Sequence, residues 1–197
     1  MRRFCFSPVL WLFCVTAALG QADLKKLDAY YAKALKDWDV PGMSIAIVKD
    51  GKVVFSKGYG VLEQGTDARP DGNTLYAIAS NTKAFTSAAI AQLVDEGKLS
   101  WDDPVRKHLP YFALYDPWVS EHVTVRDLLC HRVGLGTFSG DILWYRSTLT
   151  AEEIIRRVRH LPKAYDFRSG YGYSNVMYLT AGKVIEAVSG KSWHDYV

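Results

Sequence analysis

Leu75-Tyr76-Ala77-Ile78-Ala79-Ser80-Asn81-Thr82-Lys83 is the stretch on which the reading of this chain turns. An apolar run ends in a serine, and a lysine follows about one helical turn later. From about Ser80 to Glu96 the pattern predicts a helix, stopped by Gly97. Positions i and i+3 of a helix share a face, so the Ser80 hydroxyl and the Lys83 ammonium can meet. A serine is a poor nucleophile until a neighbour takes its proton or lowers its pKa. A lysine held near a helix N-terminus is one such neighbour. By itself a Ser-x-x-Lys tetrapeptide should arise by chance about once in a chain this long. Its plain structural reading is a capping serine followed by a solvated lysine.

Upstream, Leu24, Leu27, Tyr31 and Leu35 mark an amphipathic helix over Leu24 to Trp38, broken by Val40-Pro41-Gly42. Ser44–Lys49 and Lys52–Lys57 read as strands joined by Asp50-Gly51, a tight hairpin signal. A polar stretch runs from Glu63 to Asn73. Downstream, Asp102-Asp103-Pro104 opens a short turn, and Thr124 can cap a helix reaching about Cys130. Gly134 to Gly140 reads as loop. Thr150 and Glu153 form a capping box for a helix through Arg159. A longer helical pattern spans Ser174 to Ser189, closed by Gly190, and Ser192 caps one more helix. After Lys57 no further strong strand is evident. A two-stranded hairpin is not stable alone, so the sequence hints at sheet partners beyond the chain.

The chain has 197 residues, 49% hydrophobic and 23% charged, which is ordinary globular composition with enough length for a real core. Its start differs. Arg2 and Arg3 precede an apolar stretch, Val9 to Gly20, too short to span a bilayer as a helix. Residues 1–22 therefore read as a secretory signal peptide and 23–197 as one domain of an exported, periplasmic or secreted protein. The signal segment, if uncleaved, is the one membrane link expected. Cys14 lacks a lipoprotein context, because Trp11, Leu12 and Phe13 are bulky. Without Arg2 and Arg3 the chain holds 22 basic against 21 acidic residues, which argues against a nucleic-acid partner. Without the signal only Cys130 remains of three cysteines, so no internal disulfide is expected.

Tyr173-Ser174-Asn175 is the second chemical element. Tyr173 follows the Gly-rich Ser169-Gly170-Tyr171-Gly172 and precedes a helix, so it should project from a loop. A phenol near an ammonium has its ionised form favoured. The Asn175 amide offers a donor and an acceptor to substrate or to Lys83. Set against this is an aromatic packing residue beside a helix-start serine.

With both elements in view, the chain resembles the serine β-lactamase and penicillin-binding-protein superfamily, in particular its class C-like branch of β-lactamases, esterases and D-amino-acid peptidases. Ser-x-x-Lys and Tyr-x-Asn are that superfamily's first two motifs, here in the right order. The surroundings match as well: Ala91-Gln92-Leu93-Val94-Asp95-Glu96-Gly97-Lys98-Leu99, Asp102-Asp103-Pro104-Val105, and Thr124-Val125-Arg126-Asp127-Leu128-Leu129-Cys130-His131. The resemblance runs from Leu24 to Val197. It implies an α+β fold, a helical region plus an antiparallel sheet of which the N-terminal hairpin is present.

The resemblance also implies roles. Ser80 attacks the carbonyl of an ester, amide or β-lactam and becomes the acyl-enzyme. Lys83 helps activate it, Tyr173 is the general base, and Asn175 orients substrate and Lys83. The Ser80 backbone N–H is one oxyanion-hole donor. No metal or cofactor is implied, and the partner is a small-molecule or peptide acyl substrate. The alternatives are a non-catalytic penicillin-recognition or sensor module, and an inactive truncated fragment.

Two features depart from the pattern. Relatives carry a third motif, Lys- or His-x-Gly, on a late strand, and this chain stops before one, which reads as an N-terminal portion. Cys130-His131-Arg132-Val133-Gly134 stands where relatives read Ser-His-Thr-Ser-Gly. Cys130 is expected to be a small packing residue and His131 a hydrogen-bonded structural one. No Gly-x-Ser-x-Gly occurs, and the histidines at 108, 122, 131, 160 and 194 lack close metal-ligand spacing. Arg156, Arg157 and Arg159 read as the solvated face and end of a helix. Trp144 and Tyr145 are read either as cleft lining or as packing residues.

Overall fold

The computed structural model describes residues 23–197. The expected signal peptide and Cys14 lie outside the described residues. The chain divides into two compact units, one through Ala77 and the other Ile78–Val197.

In the first unit, α1 (Leu24–Asp37) is capped by Asp23, whose carboxylate accepts from the N–H groups of Lys25 and Lys26. Strands β1 (Gly42–Lys49) and β2 (Lys52–Gly60) pair antiparallel with a register shift between Ile47 and Val48. Both are longer than the alternation predicts. Pairing of Gly42 with Gly60 and Met43 with Tyr59 carries the ladder across the glycines that read as strand ends. The turn is as expected, with Asp50 at φ 51° and Gly51 at φ 72°. Two successive positive φ values match the right-handed twist of the strands. Helix α1 lies against β2. Tyr31 meets Phe55 and Tyr59 at ring-centroid distances of 6.3 and 6.2 Å. Asp28 accepts from Lys57 Nζ at 2.7 Å and from the Tyr59 hydroxyl at 2.7 Å. Burial and this carboxylate push the Tyr59 phenol up to about 12.

The second unit is helical and holds the hydrophobic core. A 3-10 turn, Ala79–Asn81, leads into α2 (Thr82–Asp95). The sequence predicts one continuous helix from Ser80. The chain instead tightens through its first turn, because Ala79 stands at φ 45°. Short helices α3 (Val105–His108), α4 (Pro117–His122) and α5 (Val125–Leu129) follow. Helix α4 has too few residues for a periodic signal. Asp116 caps it by accepting from the Val119 N–H. Thr124 caps α5 as expected, with Asp127 completing a capping box. The Thr150/Glu153 box opens α6 (Ala151–Arg157), which tightens into a 3-10 turn at Val158–His160. Helix α7 (Asn175–Ser189) is capped by buried Ser174 and packs against α2, α3, α5, α6 and α8 (Trp193–Tyr196). Val176, Met177, Thr180, Ala181, Val184 and Ile185 are buried along it. It is the central rod of this unit, and both of its ends are tied down by side-chain caps or glycine.

Candidate active site

The site is built where the start of α2 meets the start of α7, wholly within the second unit. Ala79 adopts the left-handed region, which costs an alanine roughly 1 kcal/mol or more and persists only where surroundings impose it. Ser80 follows on the tight turn and is exposed. Its side chain makes no helix-capping hydrogen bond, so the plain capping reading fails. Lys83, one turn later on α2, is half-buried.

Tyr173 is held from several sides. Its N–H donates to Thr137 Oγ1 at 3.2 Å, and its carbonyl accepts from the Phe138 N–H at 2.8 Å. Gly172 lets the chain pass close to Leu135: a Cβ there would lie 1.9 Å from the Leu135 carbonyl oxygen. The Ser174 N–H donates to His131 Nδ1 at 3.0 Å. The His131 ring stacks on Tyr173 at 4.6 Å and 30°.

These supports bring together the four residues singled out in the sequence. Ser80 Oγ and the Tyr173 hydroxyl are 2.6 Å apart. Lys83 Nζ donates to Ser80 Oγ at 3.3 Å and to Asn175 Oδ1 at 2.7 Å. The ammonium also lies 4.7 Å from the Tyr173 ring centroid and 5.4 Å from that of Tyr178. A hydroxyl therefore shares hydrogen bonds with a phenol and an ammonium.

With this geometry in hand, comparison with known proteins is decisive: the beta-lactamase family model matches residues 27–197. The chain belongs to the beta-lactamase family. It is 36% identical to the unguisins hydrolase ungD' of Aspergillus campestris, over 84% of this chain and 33% of that protein. Among solved structures it resembles the octameric penicillin-binding protein homologue from Pyrococcus abyssi, at TM-score 0.76 and 35% identity, covering 89% of this chain and 41% of that one. The D-amino acid amidase from Ochrobactrum anthropi is similar at TM-score 0.72 and 26% identity, over 87% of this chain and 47% of that one. The chain spans about a third of the length of the curated relatives it matches. The fold is the β-lactamase/transpeptidase-like α+β fold inferred from the motifs.

The electrostatics of this candidate site follow from its contacts. The Lys83 ammonium, and next the Ser80 hydroxyl, hold the Tyr173 phenol below its ordinary value, against a small opposing effect of burial. Burial first, and Lys83 second, lower the His131 imidazole. A neutral ring suits its place, since Nδ1 must accept the Ser174 N–H. His131 is thus the hydrogen-bonded structural residue expected, and its φ of 57° turns the chain out of α5.

Cys130 departs from expectation. It is exposed at the C-terminal cap of α5 rather than packed, because the core-facing positions of that turn belong to Leu128 and His131. Arg156 pairs with Glu152 and lies over the Tyr111 ring, so this arginine run is a solvated face with local partners. Trp144 and Tyr145 are both exposed. Asp141 was not singled out from the sequence. It lies in a 3-10 turn, Asp141–Leu143, directly after the segment that reads as loop, and accepts from Asn175 Nδ2 at 2.9 Å. A lone aspartate after a glycine carries no signal that it will reach a residue on α7.

Proposed function

We propose that this chain carries the acylation site of a serine hydrolase, with Ser80 as nucleophile. The observation that carries the reading is the 2.6 Å contact of Ser80 Oγ with Tyr173, with Lys83 Nζ on the same oxygen. Ser80 passes its proton to the Tyr173 phenolate as Oγ bonds to the substrate carbonyl carbon. The tetrahedral oxyanion collapses, the bond to the leaving group breaks, and Tyr173 returns the proton to that group. Water then repeats the sequence against the acyl-enzyme. Lys83 stays cationic and favours the phenolate. Asn175 holds Lys83 and faces substrate. The relatives include an unguisins hydrolase and a D-amino acid amidase. They support hydrolysis, and the proposed substrate is an amide, ester or lactam carbonyl on a small molecule or peptide. Export through residues 1–22 belongs to the same proposal.

A fluorophosphonate probe and a fluorescent penicillin test it. Labelling of the wild-type protein should vanish in Ser80→Ala, and Tyr173→Phe should lower the acylation rate by about 10²–10⁴-fold. Acylation should rise with pH as Tyr173 deprotonates, with its inflection below that of a free phenol. Undiminished labelling of Ser80→Ala would overturn the assignment. Stable labelling with no turnover would point to a sensor module.

A further inference from the structure

Asp141 divides its carboxylate between two donors. Oδ1 accepts from the Trp144 indole Nε1–H at 3.1 Å, and Oδ2 accepts from Asn175 Nδ2 at 2.9 Å. The other end of the same amide, Asn175 Oδ1, accepts from Lys83 Nζ at 2.7 Å. An amide has a donor end and an acceptor end of nearly equal shape, whereas an ionised carboxylate can only accept. A carboxylate at this point therefore permits one orientation of the amide. In the reversed orientation the amide NH₂ would oppose the Lys83 ammonium, donor against donor, and its oxygen would oppose a carboxylate.

We infer that Asp141 is a positioning residue, whose carboxylate holds the Asn175 amide oxygen toward Lys83 and so aims the ammonium at Ser80. Its charge acts in the same place. Among the described residues, the titratable groups that bear on Tyr173 are Lys83 on α2, His131 after α5 and Asp141, while Tyr178 on α7 faces Lys83 and His131. Lys83 lowers the phenol and the Asp141 carboxylate raises it slightly. Trp144 anchors the carboxylate from the loop side, giving that exposed indole a role in placing a group it does not touch.

The kinetic consequences rest on the acylation reading of Ser80; the amide geometry does not. Three proteins decide the matter: wild type, Asp141→Ala and Asp141→Asn. Fluorophosphonate acylation should fall about 10²-fold in Asp141→Ala, as expected for a misplaced activating group. Asp141→Asn keeps an oxygen able to accept from Asn175 and should recover most of that rate. Its acid limb should move to lower pH, because the charge that raises the phenol is gone. A simple packing role would predict no such shift. Wild-type acylation rates and an unshifted pH profile in both variants would overturn the inference while leaving the Ser80 assignment intact. Independently of labelling, the Asn175 side-chain NH₂ protons, followed by ¹⁵N NMR, should exchange slowly in wild type and fast in Asp141→Ala. Equal exchange rates would overturn the inference. If wild type fails to label, the acylation reading falls and this exchange measurement alone decides the role of Asp141.

Discussion

The unit through Ala77 and the unit from Ile78 are held together by different physics. In the first, Tyr59 is the one buried large apolar side chain among the described residues, while Val48, Val53, Leu62 and Leu75 are exposed. Its order comes from ladder hydrogen bonds, an aromatic contact and the Asp28–Lys57–Tyr59 cluster. In the second, one continuous cluster of buried apolar side chains runs from Ala89 to Ile185. All the residues with candidate chemistry belong to this second unit. A site that must hold several side chains within fractions of an ångström needs neighbours whose own rotamers are locked, and dense packing supplies them. A two-stranded hairpin has no comparable reserve.

The sharpest break of this contrast is Phe112→Ala. Phe112 is fully buried, and its removal should cost about 3–5 kcal/mol, read from urea unfolding. A loss below about 1 kcal/mol would mean that the core is loosely packed and the contrast false.

An intermediate effect is expected at Asp103. Burial pushes its carboxyl up, but the Lys107 ammonium, the Ser100 N–H and His108 outweigh this and hold it at about 2. A carboxylate lowered by folding contributes stability above its unfolded pKa, about 3.9, and loses it as pH falls through the folded value. Asp103→Asn should therefore cost about 1–2 kcal/mol at pH 7 and almost nothing at pH 2. A cost that does not change with pH would remove the ionic explanation.

The smallest effects belong to the hairpin. Gly51→Ala adds a Cβ that meets nothing within 4 Å, so its expected cost, about 1 kcal/mol, comes from the positive φ alone. Val53→Ala, at a side chain 65% exposed, should stay within about 0.5 kcal/mol. A larger loss at Val53 would show that the hairpin face is covered in solution.

Legibility in the sequence follows the same divide between local and distant causes. The Asp50-Gly51 turn, the Thr150/Glu153 box and the Thr124 cap were readable because each is settled within a few residues. Helix α4 and the turn at Asp141 were not, since short segments show no period and their stability comes from packing. The 3-10 tightening before α2 was hidden for a related reason. No local preference puts an alanine at φ 45°; the surroundings impose it. Cys130 was misplaced because a small apolar residue at the end of a helix reads as packing. Only the rotation of α5 shows that it faces out.

By itself the sequence singled out the candidate residues, their order, and the helix starts near which they stand. Motif spacing along one helix turn is a local property, so Ser80 with Lys83 and Tyr173 with Asn175 could be named as pairs. What joins the pairs was decided by tertiary structure. The 2.6 Å contact of Ser80 with Tyr173, the stacking of His131 under that phenol and the reach of Asp141 to Asn175 each span more than thirty positions of chain. Such contacts are made only when helices pack, because the free energy that closes those long loops lies in the buried core and not in the residues that meet.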